Sequence, residues 1–292
     1  MDGKIKSERI ILVTGATGNQ GGSVASKLVS SGWRVRALVR DPNKPAARAL
    51  AWKGVELTRG DLNDRASIAK AMTGVYGVFG VFAWHEGDIE SEIRHGENTV
   101  DAAKAAGVRH FIYSSVGGAE RSTGIPHFDS KWQTEEYIQA AGLSATVFRP
   151  VFMTYNFNRP EMQSSIMKGT ITMALKRDRP LQMLAVDDLA VFVNLAFETP
   201  ADYMGKAIEL AGDELTMVRV AEVFSRVIGR KVRFVEQPIS ELRSISKERA
   251  LMMEWFNRQG YRADIKALRA LHPGLMTLET WLRSTVGWVQ AA

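Results

Sequence analysis

Residues 9–22 read RIILVTGATGNQGG, and the fold turns on this stretch. Arg9–Val13 is an unbroken apolar run, the mark of a strand buried on both faces of a parallel sheet. Gln20–Ser31 follows as a helix, with Val24, Leu28 and Val29 on its apolar side. Between strand and helix, Gly15, Gly18 and Gly21 recur at the spacing GxxGxxG. Gly15 permits a tight turn, Gly18 lets the backbone approach a pyrophosphate, and Gly21 lets the helix pack close to the strand. The helix N-terminus adds free N–H groups and a positive dipole end for an anion. With Thr17, Asn19 and Gln20, these glycines form a candidate dinucleotide-binding loop; the alternative is a structural turn. The Gly-Lys-Ser/Thr ending of the nucleotide-hydrolase phosphate loop is absent.

Working outward, strands and helices alternate. Val35–Val39, Val55–Thr58, Tyr76–Phe82, His110–Ser115 and Ser144–Arg149 read as strands, the last stopped by Pro150. Asp64–Met72, Glu90–Ala106 and Phe128–Ala141 read as helices between them. Repeated units of this size predict an α/β fold of Rossmann type, a doubly wound parallel sheet with helices on both faces. After Pro150 the rhythm loosens. Asp187–Phe197, Met217–Ile228 and Ser240–Arg258 read as helices, Ala207–Leu210 and Val232–Val235 as strands. The expected organisation is a nucleotide-binding domain over 1–150. A smaller C-terminal α+β lobe over 151–292 is interleaved with the sheet's carboxyl edge and serves a substrate or partner.

Composition narrows the function classes. The chain has 292 residues, 45% hydrophobic and 24% charged, and no run of eighteen apolar residues, so neither disorder nor a membrane span is expected. The start carries no apolar leader segment. With no cysteine, disulfides, thiolate metal sites and Cys nucleophiles are excluded, and a cytoplasmic location is expected. The five histidines, at 85, 95, 110, 127 and 272, lack metal-ligand spacing, so no metal is expected. The net charge of +6 is local: residues 1–59 hold eleven Lys/Arg against four Asp/Glu, the remainder 27 against 28. A phosphate-rich small molecule explains that excess as well as a polyanion does. No basic recognition helix stands out, which disfavours direct nucleic-acid binding.

Arg40 and Lys44 follow the second strand, where such folds read the adenosine ribose. An arginine there suits a 2′-phosphate, while Asp41, one place on, could instead serve a free 2′-hydroxyl. Asp61 and Leu62 close the third strand beside the adenosine end; Asp61 could equally cap the next helix. Ala83 and Trp84 end the fourth strand at the crevice, and Ser114 and Ser115 end the fifth. Phe152, Tyr155, Asn156 and Phe157 follow the sixth, where aromatics suit a flat substrate pocket or serve packing. Ala83, Phe152 and Asn156 join the candidate cofactor contacts. Asp187 and Asp188 read as a structural pair opening a helix.

Thr14–Leu28, Val35–Lys44, Gly60–Phe79, Phe111–Val116, His127–Ile138 and Val147–Phe157 occur in one order. Together they resemble the NmrA-like family, atypical relatives of the short-chain dehydrogenases/reductases. The resemblance runs over about residues 8–290 and implies a Rossmann-type sheet, a small C-terminal lobe and NADP(H), with Arg40 and Lys44 at its 2′-phosphate. Some members of that family are NADPH-dependent reductases of quinones, triphenylmethane dyes or plant phenylpropanoid ethers. Others are redox sensors that bind NAD(P) and regulate a protein partner. The expected function is therefore an NADPH-dependent reductase of a small aromatic, quinone or enone-like substrate, with the non-enzymatic sensor as alternative. A homodimer is left open.

The catalytic expectation rests on His127–Phe128–Asp129–Ser130–Lys131. Ordinary short-chain dehydrogenases carry a tyrosine four residues before the lysine; here that position is His127. Tyr113 lies on the preceding strand and does not substitute at that spacing. Lys131 matches the lysine that resembles the catalytic one of the ether-reductase relatives, and it could equally hold a ribose hydroxyl or face solvent. His127 is a candidate proton donor or an ordinary helix-end histidine.

Overall fold

The structure, a computed structural model, describes residues 3–82, 88–285 and 287–288. In chain order it opens with α1 (Gly3–Glu8), β1 (Ile10–Val13), α2 (Asn19–Ser30), β2 (Arg34–Val39), α3 (Pro45–Trp52), β3 (Glu56–Arg59) and α4 (Arg65–Ala71). Then come β4 (Val75–Gly80), α5 (Ile89–Ala105), β5 (His110–Ser114), α6 (Pro126–Ala140) and β6 (Ala145–Pro150). Next are β7 (Phe152–Met153), α7 (Pro160–Met167), β8 (Thr170–Met173), β9 (Pro180–Leu184), α8 (Val186–Glu198), α9 (Pro200–Tyr203), β10 (Ala207–Leu210) and β11 (Asp213–Thr216). The last are α10 (Met217–Ile228), β12 (Arg233–Glu236), α11 (Ile239–Ile245), α12 (Lys247–Arg258), α13 (Ile265–Leu271) and α14 (Leu278–Ser284).

A seven-stranded sheet in the order β10-β6-β5-β4-β1-β2-β3 forms the centre. The pairings of β1 with β2 and β4, β2 with β3, β4 with β5 and β5 with β6 are all parallel. The fold is thus the expected α/β parallel sheet of Rossmann type. The strand order reverses at β1/β4, the switch point where such sheets bind ligands beyond their carboxyl ends. The apolar runs explain the placement: Ile11, Leu12 and Val13 are fully buried, as are Val78, Phe79, Phe111, Ile112 and Tyr113.

The chain divides into two units: Met1–Glu120 with His127–Arg149 and Leu189–Ile208, and Arg121–Pro126 with Pro150–Asp188 and Glu209–Ala292. The division is not a single cut near residue 150, because most of α8 and all of α9 belong to the first unit. There Trp33 Nε1 donates to Asn194 Oδ1 at 3.1 Å, and Phe192 packs against Phe148 with ring centroids 6.3 Å apart. The second unit holds a three-stranded sheet, β11-β9-β7, and a parallel pair, β12-β8.

Helix α3 has no counterpart among the elements expected from the sequence; Pro45 stands at its first position, where a missing N–H costs nothing. Two local expectations need correction. Ser240–Arg258 is two helices, because Ser246 is extended (φ −150°) and its hydroxyl caps α12 at Arg249 N. Pro150 is the last residue of β6 rather than the residue beyond it.

His110 is fully buried in β5; its Nε2 meets Thr146 Oγ1 at 2.8 Å, and burial pushes its pKa down to about 4. The unfolded chain takes up that proton near pH 6.5, so stability is full above about pH 6.5 and falls as pH drops towards about 4. The loss is roughly 3 kcal/mol at its limit. Denaturant unfolding at pH 7 and 4.5 should show His110→Gln losing about 2 kcal/mol less than wild type over that interval. Equal losses would remove His110 as the titrating group.

Candidate functional site

The loop between β1 and α2 has one face packed and one face open. Gly15 sits at φ +59°, and a Cβ there would lie 2.8 Å from Val81 Cγ1. A Cβ on Gly21 would fall 2.4 Å from Gly15 O and 2.7 Å from Thr14 O, so the helix start touches the backbone of the strand end. Among the described residues, a Cβ on Gly18 would meet only Gly15 O, at 3.3 Å. Gly15, Thr17, Gly18 and Asn19 are exposed, Gln20 is half-buried and Gly21 buried. Gly18 has no side chain with which to cap α2, so the first amides of the helix are available to an anion. Thr14 braces the turn: its Oγ1 accepts from Val81 N at 2.9 Å, and its own N donates to Phe79 O at 3.0 Å.

At the end of β2, Arg40 and Lys44 are exposed. The Asp41 carboxylate accepts the Asn43 amide at 2.9 Å, which draws it into the loop's own turn. Asp61 does the same for Asn63 N at 2.9 Å; that bond holds its carboxyl below the usual range, helped by His95 and Arg40 nearby. Asp61 does not cap α4. The cap is Asp64, which accepts from Ala66 N and Ser67 N. Leu62 is half-buried, and its carbonyl accepts Asn98 Nδ2 at 2.9 Å, tying the loop to α5. His95 faces the same neighbourhood. Its Nε2 is buried and has no partner among the described residues, and burial lowers its pKa.

The end of β5 is more committed than its position suggests. Ser114 Oγ donates to Gln20 Oε1 at 2.7 Å, joining β5 to the glycine loop. Ser115 Oγ donates to the buried Glu135, which also takes Arg149 Nη2 at 2.6 Å. Tyr113 is fully buried and stacks on Phe82 at 5.6 Å. Burial, with Glu92 and Glu135 nearby, pushes its ionisation well up, so it stays a neutral core phenol.

Lys131 lies in α6 with its side chain 12% exposed and its ammonium paired with Glu92 of α5, which is fully buried. Ser130 Oγ donates to the other oxygen of Glu92 at 2.7 Å. The solvent-facing alternative for Lys131 is therefore excluded. His127, one turn earlier, is half-buried, edge-on to Phe128 at 4.8 Å. Glu92 was not singled out in the sequence, since a glutamate in a helix ordinarily faces water.

In the second unit, Phe157 is fully buried in an aromatic chain with Phe224 (5.1 Å) and Trp288 (5.0 Å from Phe224). It serves packing. Phe152, Tyr155 and Asn156 are half-buried. Asp188 is buried and accepts His272 Nε2 at 2.9 Å and Met276 N at 3.0 Å, a structural role. Ala83, Trp84 and His85 lie outside the described residues. Among the described residues, no group of three or more His, Asp or Glu could hold a metal ion. No helix there is long and apolar enough to cross a membrane.

The profile of the NmrA-like family matches residues 7–282. The chain belongs to the NmrA-like family. An NmrA-like family domain-containing protein of Dictyostelium discoideum is 30% identical over 267 residues, 86% of this chain and 88% of its own. A (4-alkanoyl-5-oxo-2,5-dihydrofuran-3-yl)methyl phosphate reductase of Streptomyces griseus is 32% identical, covering 80% of this chain and 79% of its own. Among solved structures, the triphenylmethane reductase of Citrobacter sp., complexed with NADP(H), is similar at a TM-score of 0.81. It is 25% identical, with 95% of this chain and 100% of that chain covered. In this NmrA-like chain the exposed glycine loop and the exposed cations after β2 belong to the same unit.

Proposed function

We propose that this chain is an NADPH-dependent reductase of a small aromatic, quinone or enone-like substrate. The observation that carries the reading is the asymmetry of the glycine loop: Gly21 is closed by backbone while Gly18 is open above an uncapped helix start. A pyrophosphate fits that cradle, held by Gly15, Thr17, Gly18, Asn19 and Gln20. Arg40 and Lys44 take the 2′-phosphate, and Asp61 and Leu62 the adenosine end. Bound NADPH supplies a hydride. Lys131 holds a ribose hydroxyl and keeps a proton at Nζ close to the reacting substrate, with His127 on the same helix face as second donor. The second unit, with Phe152, Tyr155 and Asn156, carries recognition of substrate or partner. NADPH oxidation followed across quinones, triphenylmethane dyes and aldehydes tests the reading.

One observation favours a second reading, a redox sensor regulating a protein partner. His127 stands where a dehydrogenase tyrosine would, and the Lys131 ammonium is already engaged by Glu92. Tight NADPH binding with no oxidation of any acceptor would move the assignment to the sensor.

Cofactor choice follows from the cations after β2. A charge-assisted hydrogen bond is worth roughly 1.5–3 kcal/mol, so Arg40→Ala should weaken NADPH about ten- to a hundredfold and leave NADH nearly unchanged. Titration of both dinucleotides checks this. Equal wild-type affinity for NADH and NADPH would shift the ribose-reading role to Asp41.

A further inference from the structure

The buried carboxylate of α5 is unexpected on packing grounds. Glu92 is fully buried, with one oxygen on the Lys131 ammonium and the other on Ser130 Oγ at 2.7 Å. The approach of the two helices makes this pairing. Gly96 lies one turn beyond Glu92 in α5, and a Cβ there would fall 2.8 Å from Thr134 Cγ2 in α6. Thr134 in turn lies one turn beyond Ser130. Without a side chain at Gly96 the helices close, and Glu92 meets Ser130 and Lys131 instead of water. Burying two charges is costly, and an apolar pair of similar volume often packs as well or better. Packing alone does not call for an ion pair here.

We infer that Glu92 is the positioning residue for Lys131: its carboxylate, steadied by Ser130, fixes where the ammonium points and leaves two of its three N–H donors for the ligand. This rests on the proposed role of Lys131 at the cofactor. NADPH binding to the whole protein, measured by its fluorescence, gives a readout that needs no substrate. Lys131→Ala should weaken NADPH about fivefold to tenfold, and Glu92→Gln, an isosteric change, should reproduce most of that loss. The double variant should bind no more weakly than Lys131→Ala. Glu92→Asp, which keeps the charge on a shorter side chain, should recover about half of the loss but not all of it, and stands in if Glu92→Gln does not fold. If Lys131→Ala weakens binding while folded Glu92→Gln and Glu92→Asp bind as wild type, Glu92 is a structural residue and the inference is overturned. The same holds if the two losses simply multiply in the double variant. If Lys131→Ala itself leaves both binding and turnover intact, the role proposed for Lys131 falls, and the inference with it.

Discussion

Gly21→Ala should prevent stable folding, whereas Gly18→Val should leave a folded protein that no longer binds dinucleotide. The two glycines are three residues apart, one at the N-cap position of α2 and one in its first turn, yet their surroundings differ in kind. A methyl on Gly21 would sit 2.4 Å from Gly15 O and 2.5 Å from Gly15 C. Those atoms are backbone, held by the β1–β4 pairing and by Thr14, so the clash cannot be relieved by a rotamer. The expected loss is about 4 kcal/mol or more, at the upper end for a single substitution. Gly18 is extended, at φ −96° and ψ −179°, a region any residue adopts. Its added Cβ meets one carbonyl oxygen at 3.3 Å, a contact that a small shift absorbs. The valine methyls instead occupy the space above the helix start. NADPH affinity should fall at least about a hundredfold, equivalent to roughly 2.7 kcal/mol, with an unchanged melting curve. Circular dichroism melts and NADPH titration of both variants decide the matter. Normal binding by Gly18→Val would end the phosphate-cradle assignment, and a wild-type melt for Gly21→Ala would mean that the helix can retreat from the strand.

Lys131→Ala is the second large effect. Once a turnover substrate is in hand, kcat should fall by about two orders of magnitude, the usual scale for a positioned acid–base group, with a smaller loss of NADPH affinity. His127→Ala should cost less. If His127 replaces the missing tyrosine, its variant should remove a pH dependence that the wild-type rate shows. Steady-state kinetics of both variants against pH supply the comparison. Full activity in Lys131→Ala would rule out its catalytic role.

Local signals were legible where chemistry and neighbourhood in the chain coincide. The strand, glycine turn and helix of residues 9–31 could be recognised because burial on both faces selects an apolar run and a tight turn selects glycine. Asp64 as the cap of α4 is equally local, since it immediately precedes the helix and accepts from Ala66 N and Ser67 N. Helix α3 is absent from the elements expected from the sequence, although Pro45 at its first position and its alanines favour a helix.

By itself, then, the sequence determined the alternation of β1 to β6 with their helices, the glycine loop and the cations after β2, all properties of residues close together in the chain. The tertiary structure alone decided that Leu189–Ile208 belongs with the first unit, that Tyr113 is sealed in the core, and that Lys131 is held by a glutamate 39 positions away. The reason is physical: helical periodicity says which face a side chain is on, but not what that face meets. For Glu92 the answer came from Gly96 and Thr134, whose close approach removed the water that a glutamate would otherwise face.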